Sequence, residues 1–295
     1  MPNIDSPDLV RKSTIVVLVT TFNRVNQTVK CIDSLYRAQP DEVDFKLILV
    51  DAGSNDGTPE TIRTRYQDKG PVVIEVTSDH YWAMGMRVAW SKAQQISYDF
   101  ILWLNDDVIL YKNSISNMLE SWHKKTHPAV MVGALESKQD GSITYSGYRR
   151  EHARRPLNLT MLSPSNDEQH CDTLNGNVVL IPAAVDRSVG GFPSKYTHSL
   201  ADLAYGFEIR NSGAAIYLVC RVVGTCERDG SSAVWTDTGR PLRDRFKELR
   251  GPKGLPFGPW LRFCLSYGGP AGLLNAIKPY VLLLKGSGVL GRWLR

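Results

Sequence analysis

The sequence has 295 residues, 42% of them hydrophobic and 22% charged, with a net charge of +5 at pH 7. This is the composition of a globular chain, long enough for one large domain or two small ones, and it excludes a disordered or fibrous protein. The positive charge is modest and forms no dense basic stripe, so it favours anionic ligands and predicts no nucleic-acid partner.

The five cysteines, at positions 31, 171, 220, 226 and 264, are odd in number and widely spaced. With no CxxC pair among them, neither a disulfide framework nor structural zinc is expected. The N-terminal "MPNIDSPDLVRKS" lacks the apolar core of a signal peptide, and no run of about 18 apolar residues is present. The expectation is a cytoplasmic protein with reduced thiols.

In chain order, the β-branched run "STIVVLVT" (13–20) predicts a buried strand and 24–39 a helix, with Val25, Val29, Ile32, Leu35 and Tyr36 at helical spacing. "FKLILVD" (45–51) is a second strand, and 57–67 a helix with Thr58 as N-cap and Pro59 at its first position. A third strand follows at 71–77, a helix at 81–96, a fourth strand at 100–105 and a helix at 114–125. Alternating strands and helices with short connections predict an α/β protein with a mostly parallel central sheet and helices on both faces. Beyond residue 130 the pattern loosens. Residues 129–137 read as a strand, 138–170 as a polar stretch, 173–182 as a strand, 200–213 as a helix and 215–219 as a strand.

In such a sheet, ligands bind outside the carboxyl ends of the strands. Here those ends read Thr20-Thr21-Phe22-Asn23-Arg24, then Asp51-Ala52-Gly53-Ser54-Asn55-Asp56-Gly57-Thr58, then Ser78-Asp79-His80, then Asn105-Asp106-Asp107. Turns favour Asp, Asn and Gly, which accounts for "GSNDGT" about as well as a binding role does. It accounts poorly for "WLNDDVIL" (103–110), where the chain returns at once to Val108, Ile109 and Leu110. Adjacent carboxylates between apolar runs need a compensating charge, and hard oxygen ligands suit Mg2+ or Mn2+. There is no GxxxxGK[ST] loop and no GxGxxG after the first strand.

Taken together, these stretches resemble the inverting nucleotide-sugar glycosyltransferases of family 2, which have the GT-A fold. "VVLVTTFNR" is similar to that family's opening strand, "LILVDAGSNDGT" to its acidic signature with Ala52 in place of a common second acid, and "WLNDDV" to its metal motif. "DTLNGNVVLIP", "GGFP" and "HSLADLAYGFEIRNSG" follow in the order of bacterial members that act as rhamnosyl- or galactosyltransferases, so the resemblance covers roughly residues 13–230.

The resemblance implies a division of labour. Thr20, Thr21, Asn23 and Asp51 would line the nucleotide pocket, with Asp79 at its floor or ribose side. Asp106 would contact the ribose or sugar, and Asp107 would bind Mn2+ or Mg2+. Arg87 and Trp82 would face the donor, Asn175, Gly176, Asn177 and His198 the acceptor, and Asp202 would be the general base. Where other members complete the metal site with a late His, this chain has "GTCERDGS", with Cys226, Glu227 and Asp229. The implied layout is a catalytic domain at 1–235, with a nucleotide-binding half at 13–130 and an acceptor half at 131–235.

Residues 236–295 are expected to form a helical extension. Its end, "LLNAIKPYVLLLKGSGVLGRWLR" (273–295), reads either as a helix packed on its own domain or as a contact with the inner face of a membrane. The expected partners are thus a nucleotide-sugar donor, a glycan or lipid-linked glycan acceptor and, through this segment, a membrane surface. The competing reading is a non-catalytic nucleotide or glycan binder with a degenerate GT-A site.

Overall fold

The computed structural model describes residues 11–152, 155–196, 200–228, 234–251 and 254–285. Five consecutive residues, Ile15 to Val19, are wholly buried, as only a strand covered on both faces can be. They belong to β1 (Ser13–Thr21), and α1 (Val25–Arg37), β2 (Val43–Asp51), α2 (Thr58–Arg65), β3 (Val72–Glu75) and α3 (Trp82–Ala93) follow it. Next come β4 (Phe100–Leu104), β5 (Ile109–Leu110), α4 (Ser114–His123), β6 (Ala129–Glu136), β7 (Ile143–Tyr145), β8 (Gly147–His152) and β9 (Arg155–Met161). The chain continues through β10 (Gln169–His170), β11 (Thr173–Leu174), β12 (Val178–Pro182), α5 (Ala183–Val189), α6 (Ala201–Asn211) and β13 (Ala215–Thr225). Three further helices close it: α7 (Leu242–Arg250), α8 (Phe257–Tyr267) and α9 (Gly272–Lys285).

The main sheet runs β3-β2-β1-β4-β12-β6-β13-β10. The first four strands are mutually parallel, β12 is antiparallel to both neighbours, and β13 is parallel to β6. The period of two along β1 divides the core. Val16 and Leu18 pack with Ala83, Met86 and Ala89 of α3, whereas Ile15, Val17 and Val19 pack with Cys31, Ile32 and Leu35 of α1. This is the expected α/β architecture.

Three details differ from the sequence pattern. The polar stretch 138–170 contains strands, and β8, β9 and β11 make a separate antiparallel sheet. Such a sheet can wet one face, so polar residues do not preclude it. The expected strand at 173–182 is interrupted at Asn175-Gly176-Asn177, leaving β11 and β12 on either side. Gly57, in a left-handed conformation, caps α2 in place of Thr58, whose N–H and hydroxyl both donate to Asp56.

Helix α8 joins the main core through Phe263, and Tyr267 stacks on Phe207 of α6 with ring centres 4.9 Å apart. The Tyr267 hydroxyl also donates to Glu208.

Candidate functional site

Because β2, β1 and β4 are adjacent and parallel, their carboxyl ends deliver three loops to one edge. Thr21 and Asp51 are direct register partners at that edge. Asp51 is 1% exposed, and its oxygens accept from the N–H and the hydroxyl of Ser54 at 2.8 and 2.5 Å. Ser54 in turn accepts the Asn23 N–H at 2.8 Å, while the Asn23 side-chain oxygen accepts the Asn55 N–H. Asp56 caps α1 from outside by accepting the Val25 N–H at 2.9 Å. The two loops are therefore stitched into one rigid rim. Thr21 shares a hydrogen bond with Thr28, and the side chain of Thr20 sits against Gly85 of α3, where a Cβ would approach it to 2.7 Å.

Asn105, Asp106, Asp107 and Val108 form a tight turn between β4 and β5, closed by the Val108 N–H on the Asn105 carbonyl at 3.2 Å. The apolar return that follows is β5, which pairs with β13. The two carboxylates have a protein counter-charge. Arg24 Nη1 lies 3.3 Å from Asp106 Oδ1 and 3.0 Å from Asp107 Oδ2. The Asp106 side chain is 8% exposed and that of Asp107 32%, so the first is structural in depth and the second open to ligand. Burial, with repulsion from Asp107, pushes the Asp106 carboxyl up to about 6 against the opposing pull of Arg24 and Thr21. The Cys226 thiol donates to Asp107 at 3.4 Å. Burial and the neighbouring carboxylates raise its pKa, so it remains a neutral donor.

A second hydrogen-bonded chain leads from this turn to Asp202. Trp82 Nε1 donates to Asn105 Oδ1 at 2.8 Å, and the Asn105 amide donates to Asn177. The Asn177 N–H donates to Asn175, and both the Asn175 amide and the Gly176 N–H donate to Asp202 Oδ2, at 3.4 and 3.2 Å. The other oxygen, Oδ1, accepts the Leu203 N–H at 2.8 Å. Asp202 lies in the first turn of α6, where the helix dipole favours an anion. Burial of the carboxylate nevertheless raises its pKa, against the pull of the Leu203 and Gly176 N–H groups. Gly176 is the close-packed point of this chain, since a Cβ there would meet the Trp82 ring at 2.5 Å and Asp202 Cβ at 3.3 Å.

Among the described residues, the only non-glycine residues in left-handed backbone are Asn23 and Leu200. One holds the rim formed by the ends of β1 and β2, and the other enters α6 just before Asp202. Strain concentrated at two such places is the pattern of a functional site.

The remaining sequence candidates stand further out. Asp79 is exposed, engaged by the Thr77 hydroxyl and by His80, and both hold its pKa low. Arg87 donates to the carbonyls of Tyr196 at 2.8 Å and Pro193 at 3.4 Å, bracing the segment that leads toward α6. His198 and Asp229 lie outside the described residues.

Arg24 and Asn105, not assigned roles from sequence, turn out to be the hubs. Each lies within a stretch singled out from the sequence, "FNR" and "NDD", and this membership is the available signal.

Among the described residues, no cluster of three or more His, Cys, Asp or Glu is placed to hold a metal. Asp106 and Asp107 still fit Mg2+ or Mn2+, which bind through one or two carboxylates and take substrate phosphates and water for the rest.

Solved structures share this architecture. S. aureus TarS 1–349 in complex with UDP-GlcNAc matches over 94% of this chain and 83% of its own, at 16% identity and a TM-score of 0.56. The mannosyltransferase PcManGT from Pyrobaculum calidifontis, in complex with GDP-Man and Mn2+, matches over 100% of this chain and 83% of its own, at 16% identity and a TM-score of 0.55. GalNAc-T7 with UDP, GalNAc and Mn2+ matches over 94% of this chain and 57% of its own, at 12% identity and a TM-score of 0.60. At such low identity these likenesses establish the GT-A fold alone. No curated protein matches the sequence. The sequence profile of Glycosyl transferase family 2 matches residues 16–176, more than half of the chain, and the chain belongs to that family.

Proposed function

We propose that this glycosyltransferase inverts the anomeric centre as it moves a hexosyl or rhamnosyl group. The donor would be a UDP- or dTDP-sugar and the acceptor a glycan or lipid-linked glycan of a bacterial surface polysaccharide. The observation that carries the reading is the unbroken hydrogen-bond chain from Trp82 and Asn105 through Asn177 and Asn175 to Asp202. It fixes a half-buried carboxylate relative to the acidic turn, as displacement at a single carbon requires.

Each group then has one task. Thr20, Thr21, Asn23 and Asp51 hold the nucleoside, and Asp51 retains lone pairs beyond those taken by Ser54. Asp107, the more open of the pair, would hold Mn2+ or Mg2+, which when bound offsets the charge that grows on the departing diphosphate, and Asp106 would contact the ribose or sugar. Asp202 accepts the proton of the acceptor hydroxyl as its oxygen bonds to the anomeric carbon and the bond from that carbon to the diphosphate oxygen breaks. For this step it must come within about 2.6–3.2 Å of the attacking oxygen. TarS with UDP-GlcNAc and PcManGT with GDP-Man and Mn2+ support a nucleotide-sugar donor and a divalent ion.

The test is binding and hydrolysis of a panel of UDP-, dTDP- and GDP-sugars with Mn2+, Mg2+ or EDTA, on the wild type, Asp107→Ala and Asp202→Asn. Metal-dependent binding should disappear in Asp107→Ala, whereas Asp202→Asn should bind donor and fail to turn it over. Absence of binding to every nucleotide sugar, with and without metal, overturns the reading.

A further inference from the structure

Helix α9 is apolar on both sides. Gly272, Ala276, Pro279 and Leu283 form its buried stripe, and α9 packs on α8 with Gly272 against the Cys264 backbone. On the opposite side Leu273, Ile277 and Val281 fall in one column, with Leu274 and Leu282 in the next on either side of Lys278. Leu273 is 56% exposed and Leu274 73%, values more usual for lysine than for leucine. Leu265 and Phe257 of α8 are 59% and 50% exposed. Of twelve exposed large hydrophobic residues among those described, eight lie on these two helices.

The charge pattern indicates what covers this face. From Leu249 to Arg295 the sequence has seven Lys and Arg and no Asp or Glu. Residues 241–295 hold ten basic and two acidic residues, so the rest of a chain of net charge +5 is net negative. A protein partner would call for no such exclusion of acids over a whole segment, whereas an anionic lipid surface repels every carboxylate brought near it. Lys278, set between two leucines one turn away on each side, can bury its stem and keep its ammonium at the headgroups.

None of the described helices is long and apolar enough to cross a membrane, and α9, at about 21 Å, would lie in the interface plane. From this juxtaposition of an outward leucine face with a segment free of acids, we infer that α8 and α9 dock the protein on an anionic lipid bilayer. The inference is independent of the donor chemistry proposed above.

The experiment is flotation of the full chain with vesicles of phosphatidylcholine alone or mixed equally with phosphatidylglycerol. The protein should float with the mixed vesicles, release partly at high salt and stay behind with phosphatidylcholine. Leu274→Glu with Ile277→Glu should lower the vesicle-bound fraction about tenfold, the worth of one lost apolar anchor. Because that pair could disturb α9, Lys278→Glu is run beside it, and helical circular dichroism and nucleotide binding are read for both. Failure of the wild type to bind mixed vesicles overturns the inference. So does unchanged binding by folded variants, or a wild-type dimer that the variants dissociate, which would assign the face to a second copy.

Discussion

Arg24 and Asp107 form an ion pair across the mouth of the site, with Nη1 3.0 Å from Oδ2, and the same nitrogen reaches Asp106 at 3.3 Å. The guanidinium thus holds the space between two carboxylates where a divalent ion would compete for the same oxygens. The Arg24 side chain is 38% exposed, so the pair is partly screened, and its worth is near the usual 1 kcal/mol or less. Arg24→Gln should therefore tighten Mn2+ binding to the nucleotide-free protein by up to about fivefold. Free Mn2+ measured by electron paramagnetic resonance reads this directly. Weaker Mn2+ binding would show instead that Arg24 organises the turn for the ion.

Asp106 makes the site costly to fold. Its carboxyl titrates at about 6 in the folded chain, chiefly through burial and then Asp107, against about 3.9 when unfolded. The folded state holds the extra proton, so this group's stabilising contribution is complete below about 3.9 and is lost as pH rises through about 6. At pH 7 the ionised group costs about 3 kcal/mol. Asp106→Asn should melt higher at pH 7, by about 1–2 kcal/mol in unfolding free energy, while losing metal-dependent donor binding. The gain should vanish near pH 4. A variant less stable at pH 7 would mean that the bonds from Arg24 and Thr21 outweigh the desolvation.

Much of this was legible in the sequence, for identifiable reasons. The alternation of β1 to α4 was readable because a doubly covered strand must be apolar throughout, as Ile15 to Val19 are. The anomaly of "NDD" was readable because buried paired charges are rare. What was not readable is what answers them. Arg24 lies more than eighty residues away in sequence, and an arginine after a strand end looks like any solvated cation. The strands in 138–170 were hidden because a half-wet antiparallel sheet carries no continuous apolar run. The role of Asn105 depends on contacts with Trp82 and Asn177, which no local spacing reveals.

Gly176 tests the geometry of the hydrogen-bond chain without touching its chemistry. Ala there would push a methyl group to 2.5 Å from the Trp82 ring and 3.3 Å from Asp202 Cβ, so one of them must move. The backbone itself raises no objection, because Gly176 is not among the positive-φ glycines. Stability should drop by about 1–3 kcal/mol, the usual cost of overpacking. Turnover should drop further than that, by about 100-fold, because a displacement near 1 Å at the base is enough. Donor affinity, which the proposed function assigns to Asp51 and Asn23 on the other rim, should hold. Loss of donor affinity with unchanged turnover would dissociate Gly176 from the base.

Asp202 gives the sharpest pH signature. As the proposed general base its carboxylate works only when ionised, and burial lifts its pKa against the N–H groups of Leu203 and Gly176. Turnover should therefore fall as pH is lowered through that raised value, with a midpoint above the ordinary aspartate value of about 3.9. Nearby Tyr148 is no rival base, since burial and the Asp202 charge hold its phenol up at about 12. Asp202→Asn should remove the acid limb and lower turnover by about 10²–10⁴-fold with donor binding intact. Asp202→Glu, which keeps the carboxylate but lengthens its reach, should recover part of the rate and restore the limb. If Asp202→Asn keeps both its rate and its pH profile, the proton goes elsewhere and the assignment of the base fails.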